Sequence, residues 1–314
     1  MNNESPPTPG TATTRRDGSP TGHAALIMNP IAGHGLAARR EPKVVEALKE
    51  AGLNFTIFRT EAPGHAIELA RHAVSQGAVM VIAGGGDGTA HEVAAGMWDS
   101  EAVLGVIPLG SGNDFAGSQG IPRDLDGAVA VLREGRIRLS DIGQFDERFF
   151  FNTLGIGFGV VVTINSQSFK RLRGHLLYLM TVLKSLAGYH SLPLVLEAPG
   201  FQRDELTYLL TVGIGTREGG GFMITPEALL DDGLFDVCIV DDISIPTALR
   251  VLPKATKGTH TNLPIVTMLK VPSITITARE PIVVHADGEI YDTGKKKLEC
   301  TCRPQSLRVQ SPSS

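Results

Sequence analysis

Carboxylates set beside glycines are the residues of this chain whose spacing could do chemistry. Gly84-Gly85-Gly86-Asp87-Gly88-Thr89 lies between a buried-strand run, Ala78 to Ala83, and a stretch, Thr89 to Trp98, that puts Ala90, Val93, Ala94 and Met97 on one helical face. Glycines at a strand's carboxyl end let the backbone approach a ligand closely, and the helix that follows offers free N–H groups and the positive end of its dipole. A phosphate suits such a place. Asp87 does not repel it if Mg2+ lies between them, because a carboxylate is a hard oxygen ligand and the cation offsets phosphate charge. A tight ligand-free turn explains one such cluster as well, but there is a second. Leu109-Gly110-Ser111-Gly112-Asn113-Asp114-Phe115-Ala116 follows the strand run Val103 to Pro108 and again carries small residues, a hydroxyl, an amide and a carboxylate. The loop after the first strand, Asn29-Pro30-Ile31-Ala32-Gly33, leaves from the same sheet edge, where ligands bind in doubly wound folds.

The elements that must position these loops follow a repeating grammar. Ala24 to Met28, Asn54 to Arg59, Ala78 to Ala83 and Val103 to Leu109 read as strands. Leu36 to Ala51, Gly64 to Gln76 and Thr89 to Trp98 read as helices. Such alternation implies parallel strands with right-handed crossovers, so residues 22–142 are expected to form a doubly wound α/β domain. Short β-type runs then take over: Arg148 to Leu154, Leu192 to Glu197, Thr207 to Ile214, Leu234 to Val240, Ser273 to Ala278, Ile282 to His285 and Lys297 to Cys302. Helical stretches interrupt them near Ser168 to Gly188 and Ile245 to Lys257. Residues 143–303 are therefore expected to form a mainly antiparallel β-sandwich, with 304–314 free to rejoin the first domain. The boundary is placed at Leu139 to Gly143, which carries no Pro or Ser cluster.

Composition excludes several classes. In 314 residues with 42% hydrophobic content and a formal charge of −4, nothing calls for nucleic acid. Cys238, Cys300 and Cys302 are too few for a disulfide framework and read as strand residues in a reducing, cytoplasmic setting. The longest apolar run, Leu176 to Leu183, falls well short of the roughly 20 residues a membrane span needs. Residues 1–21, rich in Pro, Thr, Ser and Gly, are expected to be disordered and to form no export signal. Gly33-x-Gly35-x-x-Ala38 matches a relaxed dinucleotide fingerprint, but Asn29-Pro30 separates it from its strand. No Gly-x4-Gly-Lys-Ser/Thr occurs, and His91-Glu92 lacks the second His of a zinc protease.

Taken together, Asn29-Pro30-x-Ala32-Gly33, Gly85-Gly86-Asp87-Gly88-Thr89 and Gly112-Asn113-Asp114-Phe115-Ala116 resemble the signature loops of the diacylglycerol kinase catalytic domain family. The resemblance continues through Asp141-Ile142-Gly143, Gly155-Ile156-Gly157-Phe158, the stretch Pro226 to Asp236 and Asp287-Gly288-Glu289. It implies an amino domain like that of NAD kinase and phosphofructokinase, a β-sandwich second domain and a substrate cleft between them. It implies ATP contacts at Asn29, Pro30, Ile31, Ala32, Gly33, Thr60, Gly85, Gly86, Asp87, Gly88, Thr89, Ala90, His91, Glu92, Ser111 and Asn113. It implies a carboxylate network around nucleotide-bound Mg2+ made by Asp87, Asp114 and Asp141, and a structural Mg2+ at Asp232 with the carbonyls of Leu229 and Leu234. Asp287 corresponds to the general base, with Glu289 beside it.

The implied activity is a Mg2+-dependent transfer of the ATP γ-phosphate to a hydroxyl of a membrane lipid, first of all diacylglycerol, giving phosphatidic acid. Phosphatidylglycerol, a sphingoid base or ceramide, and isoprenoid alcohols stay open as acceptors. Phosphoryl transfer suits this residue set, needing an in-line γ-phosphate, charge neutralisation and a carboxylate to take the hydroxyl proton late. Asp-Gly is also an ordinary hairpin turn, so Asp287 has a structural reading too. The stretch Ser168 to Gly188 joins Lys170, Arg171, Arg173 and Lys184 to a row of leucines. It is either a peripheral membrane contact or a helix packed on the sandwich. A homodimer is compatible with everything above. Gly159, Gly215-Thr216-Arg217 and Ala90-His91 depart from the family pattern, and the first two bear on the acceptor. An NAD kinase and a nucleotide-regulated lipid-binding module are the alternatives weighed.

Overall fold

In the computed structural model, residues 13–14, 20–166 and 174–313 are described, with side chains at 22–166 and 180–313. After the short pair β1 (Thr13–Thr14) and β2 (Pro20–Thr21), strands and helices alternate. The order is β3 (Ala24–Met28), α1 (Ala32–Glu50), β4 (Phe55–Arg59), α2 (His65–Ser75), β5 (Met80–Gly85), α3 (Asp87–Met97), β6 (Val103–Pro108), α4 (Asp114–Ser118) and α5 (Leu125–Glu134). The strands β4-β3-β5-β6 pair in parallel in that order. Because side chains alternate across a strand, Ala24, Leu26 and Met28 face α1 and α5, while Ala25 and Ile27 face α2 and α3. Both faces are buried, which is why these strands read as continuous apolar runs. Gly33, His34 and Gly35 have φ of 59°, 58° and 79°, so the regular part of α1 begins at Leu36, where the sequence places it.

The second half contains β7 (Arg136–Phe145), β8 (Arg148–Phe150), β9 (Thr153–Gly157), α6 (Phe158–Ser166), α7 (Gly174–Leu186), β10 (Leu192–Ala198), β11 (Phe201–Gly213), β12 (Phe235–Asp241) and α8 (Ile245–Ala255). A 3-10 turn, Thr259–Asn262, precedes β13 (Val266–Val271), β14 (Ser273–Ala278), β15 (Val283–Ala286), β16 (Glu289–Asp292) and β17 (Lys297–Ser311). Antiparallel pairing gives one sheet ordered β13-β12-β11-β9-β15-β16 and another ordered β10-β14-β17-β7-β8. β11 belongs to both, since its first half pairs with β10 and its second with β9 and β12. Their inner faces close over Phe145, Phe150, Phe235, Leu210, Ile276 and Leu298, so this half is a β-sandwich.

The chain crosses between the two halves inside strands rather than through a linker. β7 pairs with β17 along its length, and Val309 of β17 also pairs in parallel with Leu104 of β6. That explains the missing Pro or Ser cluster near Leu139 to Gly143. Two helical interruptions were expected in the second half; among the described residues there are three α-helices. α6 escaped notice because Phe158-Gly159-Val160-Val161-Val162 is apolar on every face and shows no helical period. Positions 1–12 and 15–19 of the tail, and Lys170, Arg171 and Arg173, lie outside the described residues. No described helix is long and apolar enough to cross a membrane.

Candidate active site

The first two glycine loops touch. A Cβ on Gly110 would overlap the Cα of Gly86, so only glycine lets the β5–α3 and β6–α4 turns lie against each other. Asp87, first residue of α3, then ties them. Its Oδ2 accepts the Asn113 N–H at 2.8 Å and its Oδ1 the Phe115 N–H at 3.0 Å. Asn113, at φ 55°, closes its own loop by exchanging hydrogen bonds with the backbone of Gly110. Next to it, Asp114 Oδ2 accepts the Gly220 N–H at 2.6 Å, whereas its Oδ1 is buried without a partner. Burial, then the charge of Asp87, pushes the Asp114 carboxyl up to about 7. Burial raises Asp87 too, against the N–H groups of Phe115, Asn113 and Asp114, with Asp287 adding to the rise.

Asp287 arrives from the other half. Ala286 pairs with Glu289 across the β15–β16 hairpin, which leaves Asp287-Gly288 as a two-residue turn with φ of 50° and 91°. Asp287 is thus an Asp-Gly hairpin turn residue, as its structural reading has it, and its buried side chain lines a cavity with Asp87 and Asp114. Asp287 Oδ1 accepts the N–H groups of Asn152 and Thr153 at 2.9 and 3.0 Å, and Oδ2 that of Phe151 at 2.8 Å. His91 Nδ1 stands 2.8 Å from Oδ2. These partners fill the roughly four acceptor positions of a carboxylate. For His91, burial lowers the pKa, but the hydrogen bond and charge of Asp287 win and raise it above the ordinary histidine range.

Three cavities bear on the site, and the turn itself lines the first of them. One, of about 120 Å3, is lined by Asp87, Asp114, Asn152, Glu218, His285 and Asp287 among others. A second, of about 370 Å3, is lined by Asn29, Ile31, Ala32, Gly33, Thr60, Gly86, Gly88, Thr89, Glu92, Ser111 and Glu289, joined by the unpredicted Glu61, Ala62, Pro63 and Gly110. Its floor is fixed by Asn29, whose Nδ2 donates to Thr89 Oγ1 at 3.0 Å. The third, of about 110 Å3, is walled by Phe158, Val162, Leu186, Phe222, Val240, Leu252 and other apolar side chains. Such a lining rejects phosphate and accepts hydrocarbon.

Several expected residues stand apart from the second cavity. Pro30, Gly85, Ala90, His91 and Asn113 do not line it. Glu92 does, yet its carboxylate also accepts the N–H groups of Gly64 and Ala66 at 2.8 and 3.0 Å, which caps α2 from the neighbouring helix. Asp141 lines none of these three cavities. Its oxygens accept the N–H groups of Gln305 and Gly233, both at 2.7 Å, at the register shift between β7 and β17. Asp232 Oδ1 accepts the Leu234 N–H at 3.1 Å, and Leu229 is largely exposed. The Lys270 ammonium lies 3.6 Å from Asp232 Oδ2 and 3.3 Å from Asp236 Oδ2.

Asn152, Glu218 and His285 were missed. A signal existed for two of them: His285 stands two residues before Asp287 in the strand that leads into its turn, and Glu218 opens a glycine run like the two that were read. Cys238, Cys300 and Cys302 are buried free thiols in β12 and β17, as expected, and burial pushes the Cys238 and Cys302 thiols up to about 12.

A parallel-sheet domain with three glycine-bounded loops, facing a β-sandwich that delivers a carboxylate turn, defines a kinase-type cleft. Residues 23–145 match the diacylglycerol kinase catalytic domain, and residues 152–311 match the YegS C-terminal NAD kinase beta sandwich-like domain. The chain belongs to this family of ATP-dependent lipid kinases. It is 34% identical over 287 residues, 89% of this chain and 92% of the relative, to the "Probable lipid kinase YegS-like" of Pseudomonas aeruginosa PAO1. It is 31% identical over 273 residues to the diacylglycerol kinase of Bacillus subtilis strain 168, covering 85% and 89% of the two chains. The crystal structure of a diacylglycerol kinase from Bacillus anthracis strain Sterne shares the fold, with a TM-score of 0.70 at 21% identity over 92% of this chain and 96% of that one.

Proposed function

We propose that this protein is a Mg2+-dependent kinase that moves the γ-phosphate of ATP to a hydroxyl of a membrane lipid, with diacylglycerol as the first acceptor to assay. One observation carries the reading: the cavity that holds Asp87, Asp114 and Asp287 shares Glu218 and Gly219 with an apolar cavity, and its Asp87, Gly112 and Gly288 are chain neighbours of Gly86, Gly88, Ser111 and Glu289 in the glycine-walled cavity. ATP phosphates suit the polar side, where the first N–H groups of α3 have no partner within the helix. A hydrocarbon tail suits the apolar side. The acceptor hydroxyl would then lie by the carboxylates.

Mg2+ fits the residues present. Asp114 has a buried oxygen without a partner, and two crowded carboxylates of raised pKa gain from a cation. No three His, Cys, Asp or Glu side chains of the described residues converge on a metal position. That suits Mg2+, which takes one or two carboxylates and fills its sphere with water and phosphate oxygens. When bound it would offset the charge of the transferred phosphoryl group. The protein's own groups then have distinct tasks. Backbone N–H groups of the loops at Gly86 to Thr89 and at Ser111 orient the phosphates. Asp287 takes the hydroxyl proton, for which one of its hydrogen-bond partners must yield; His91 is its one side-chain partner, the other three being backbone N–H groups.

Membrane access would be peripheral. Ile164, Met180, Leu183, Ile245 and Leu249 are exposed apolar side chains on α6, α7 and α8, the helices that wall the apolar cavity. The deciding experiment incubates purified protein with Mg2+, γ-labelled ATP and a total lipid extract and identifies the labelled product. A labelled phospholipid is expected; label only in inorganic phosphate, or in a phosphorylated dinucleotide, overturns the reading.

A further inference from the structure

One loop separates the carboxylate cavity from the apolar one. Residues Glu218 to Phe222 are closed by a bridge between those two positions, and Glu218 and Gly219 line both cavities. Gly219, Gly220 and Gly221 have φ of 67°, 80° and 120°, so the partition is bare backbone in conformations that favour glycine. Glu218 anchors it. Burial pushes its carboxyl up, but His285 Nε2 at 2.9 Å and the Thr211 hydroxyl at 3.0 Å hold it below the ordinary carboxylate range. The pair has a seat cut for it: a Cβ on Gly155 would run into the His285 ring. A Cβ on Gly159 would lie 2.9 Å from His285 Nε2 and 3.1 Å from Glu218 Oε1.

Two polar atoms beside this pair have no partner. His285 is 2% exposed and its Nδ1 is unbonded. Asn152 is 4% exposed; its Nδ2 donates to the Arg217 carbonyl at 2.7 Å, which fixes Oδ1 as the unbonded acceptor. Both residues line the carboxylate cavity with Asp287. Buried polar atoms are nearly always satisfied, so these two call for a ligand.

We infer that the Glu218–His285 pair positions the acceptor lipid. His285 Nδ1 and Asn152 Oδ1 hydrogen-bond the polar atoms around the reacting hydroxyl, and the hydrocarbon passes over the glycine loop into the apolar cavity. The acidic partner keeps a proton on His285 Nε2. Nδ1 then offers a lone pair to a second hydroxyl or, in the charged ring, an N–H to an ester or amide carbonyl. Asn152 Oδ1 accepts from the reacting hydroxyl itself. The matched acceptor is a lipid alcohol with an ester, amide or hydroxyl next to its free hydroxyl, and a plain long-chain alcohol leaves His285 unsatisfied. This rests on the lipid-kinase reading above.

The test is steady-state kinetics in detergent micelles with diacylglycerol or a long-chain primary alcohol as acceptor, for the wild type, Glu218→Gln and Gly159→Ala. Glu218→Gln keeps the shape and removes the charge; Gly159→Ala presses on the pair and removes nothing. Each should raise the acceptor KM by about tenfold with the ATP KM unmoved, and shrink the preference for diacylglycerol over the plain alcohol. An acceptor KM unchanged in both variants, or ATP and acceptor KM rising together, overturns the inference while leaving the kinase reading standing. A wild type that labels no lipid overturns both.

Discussion

His91 Nδ1 and Asp287 Oδ2 lie 2.8 Å apart across 196 positions of sequence, joining the helix behind the first glycine loop to a hairpin turn of the sandwich. Both side chains are buried, and the ring also packs edge-on against Phe151, whose N–H donates to the same oxygen. The two halves are thereby fastened at the point where phosphate donor and hydroxyl acceptor would meet.

Removing the charge at Asp287 should separate binding from turnover. Asp287→Asn is expected to bind an ATP analogue normally by calorimetry and to lose about 100- to 10,000-fold in turnover, the range general-base catalysis contributes. It should also lose about 1–3 kcal/mol of stability, because the new amide meets donors it cannot satisfy. Near-normal turnover would remove Asp287 from the chemistry.

The same pair predicts a pH dependence of stability. His91 has a folded-state pKa raised by Asp287, so its contribution is complete below the ordinary histidine value and is lost as pH rises through the folded one. Melting temperatures of wild type and His91→Gln, followed from pH 6 upward, should differ most at the acid end and converge on the alkaline side. A gap that widens with pH has the wrong sign.

Asp114 should release its proton on metal binding. Its folded pKa of about 7 lies above the unfolded value, so the folded carboxyl is protonated through the acid side of neutrality. Charging it as pH rises through about 7 works against the fold until a cation arrives. Titration of Mg2+ and ATP analogue in buffers of different ionisation enthalpy should show protons released at pH 6.5 and far fewer at pH 8.5. Asp114→Asn should shrink the difference, leaving only what Asp87 and the nucleotide itself release.

Glu92 tests a structural role inside the nucleotide cavity. Glu92→Gln leaves one of the Gly64 and Ala66 N–H groups without its acceptor, so denaturant unfolding should report a loss of about 1 kcal/mol, the usual worth of a helix cap. The KM for ATP should change less than the stability does. The reverse result would mean that Glu92 acts on nucleotide directly.

Most of the fold was legible because burial on both faces of β3, β5 and β6 forces unbroken apolar runs, and short loops between strand and helix force parallel pairing. The three loops were legible for a related reason. Gly33 and Gly110 stand where backbone must approach backbone, and only one residue type permits that. β13 and β16 were not legible, being short strands with partly exposed faces, and neither was α6, whose uniform apolarity carries no period. Asp141 resembles a member of the carboxylate network by motif; that its oxygens also accept the N–H groups of Gly233 and Gln305 was not legible, because that pairing depends on where β17 bends.

By itself the sequence determined the alternation of elements, the glycine turns and the presence of Asp87, Asp114 and Asp287, since each depends on local sterics and on which residues water rejects. Only the tertiary structure decided that these three carboxylates share a cavity, that Asp287 is wrapped by Phe151 to Thr153 and His91, and that Glu218 pairs with His285 between polar and apolar space. Those relationships span the β7 and β17 crossing. Which side chains it brings within hydrogen-bonding distance depends on sheet register and packing between halves, and no local pattern of residues encodes either.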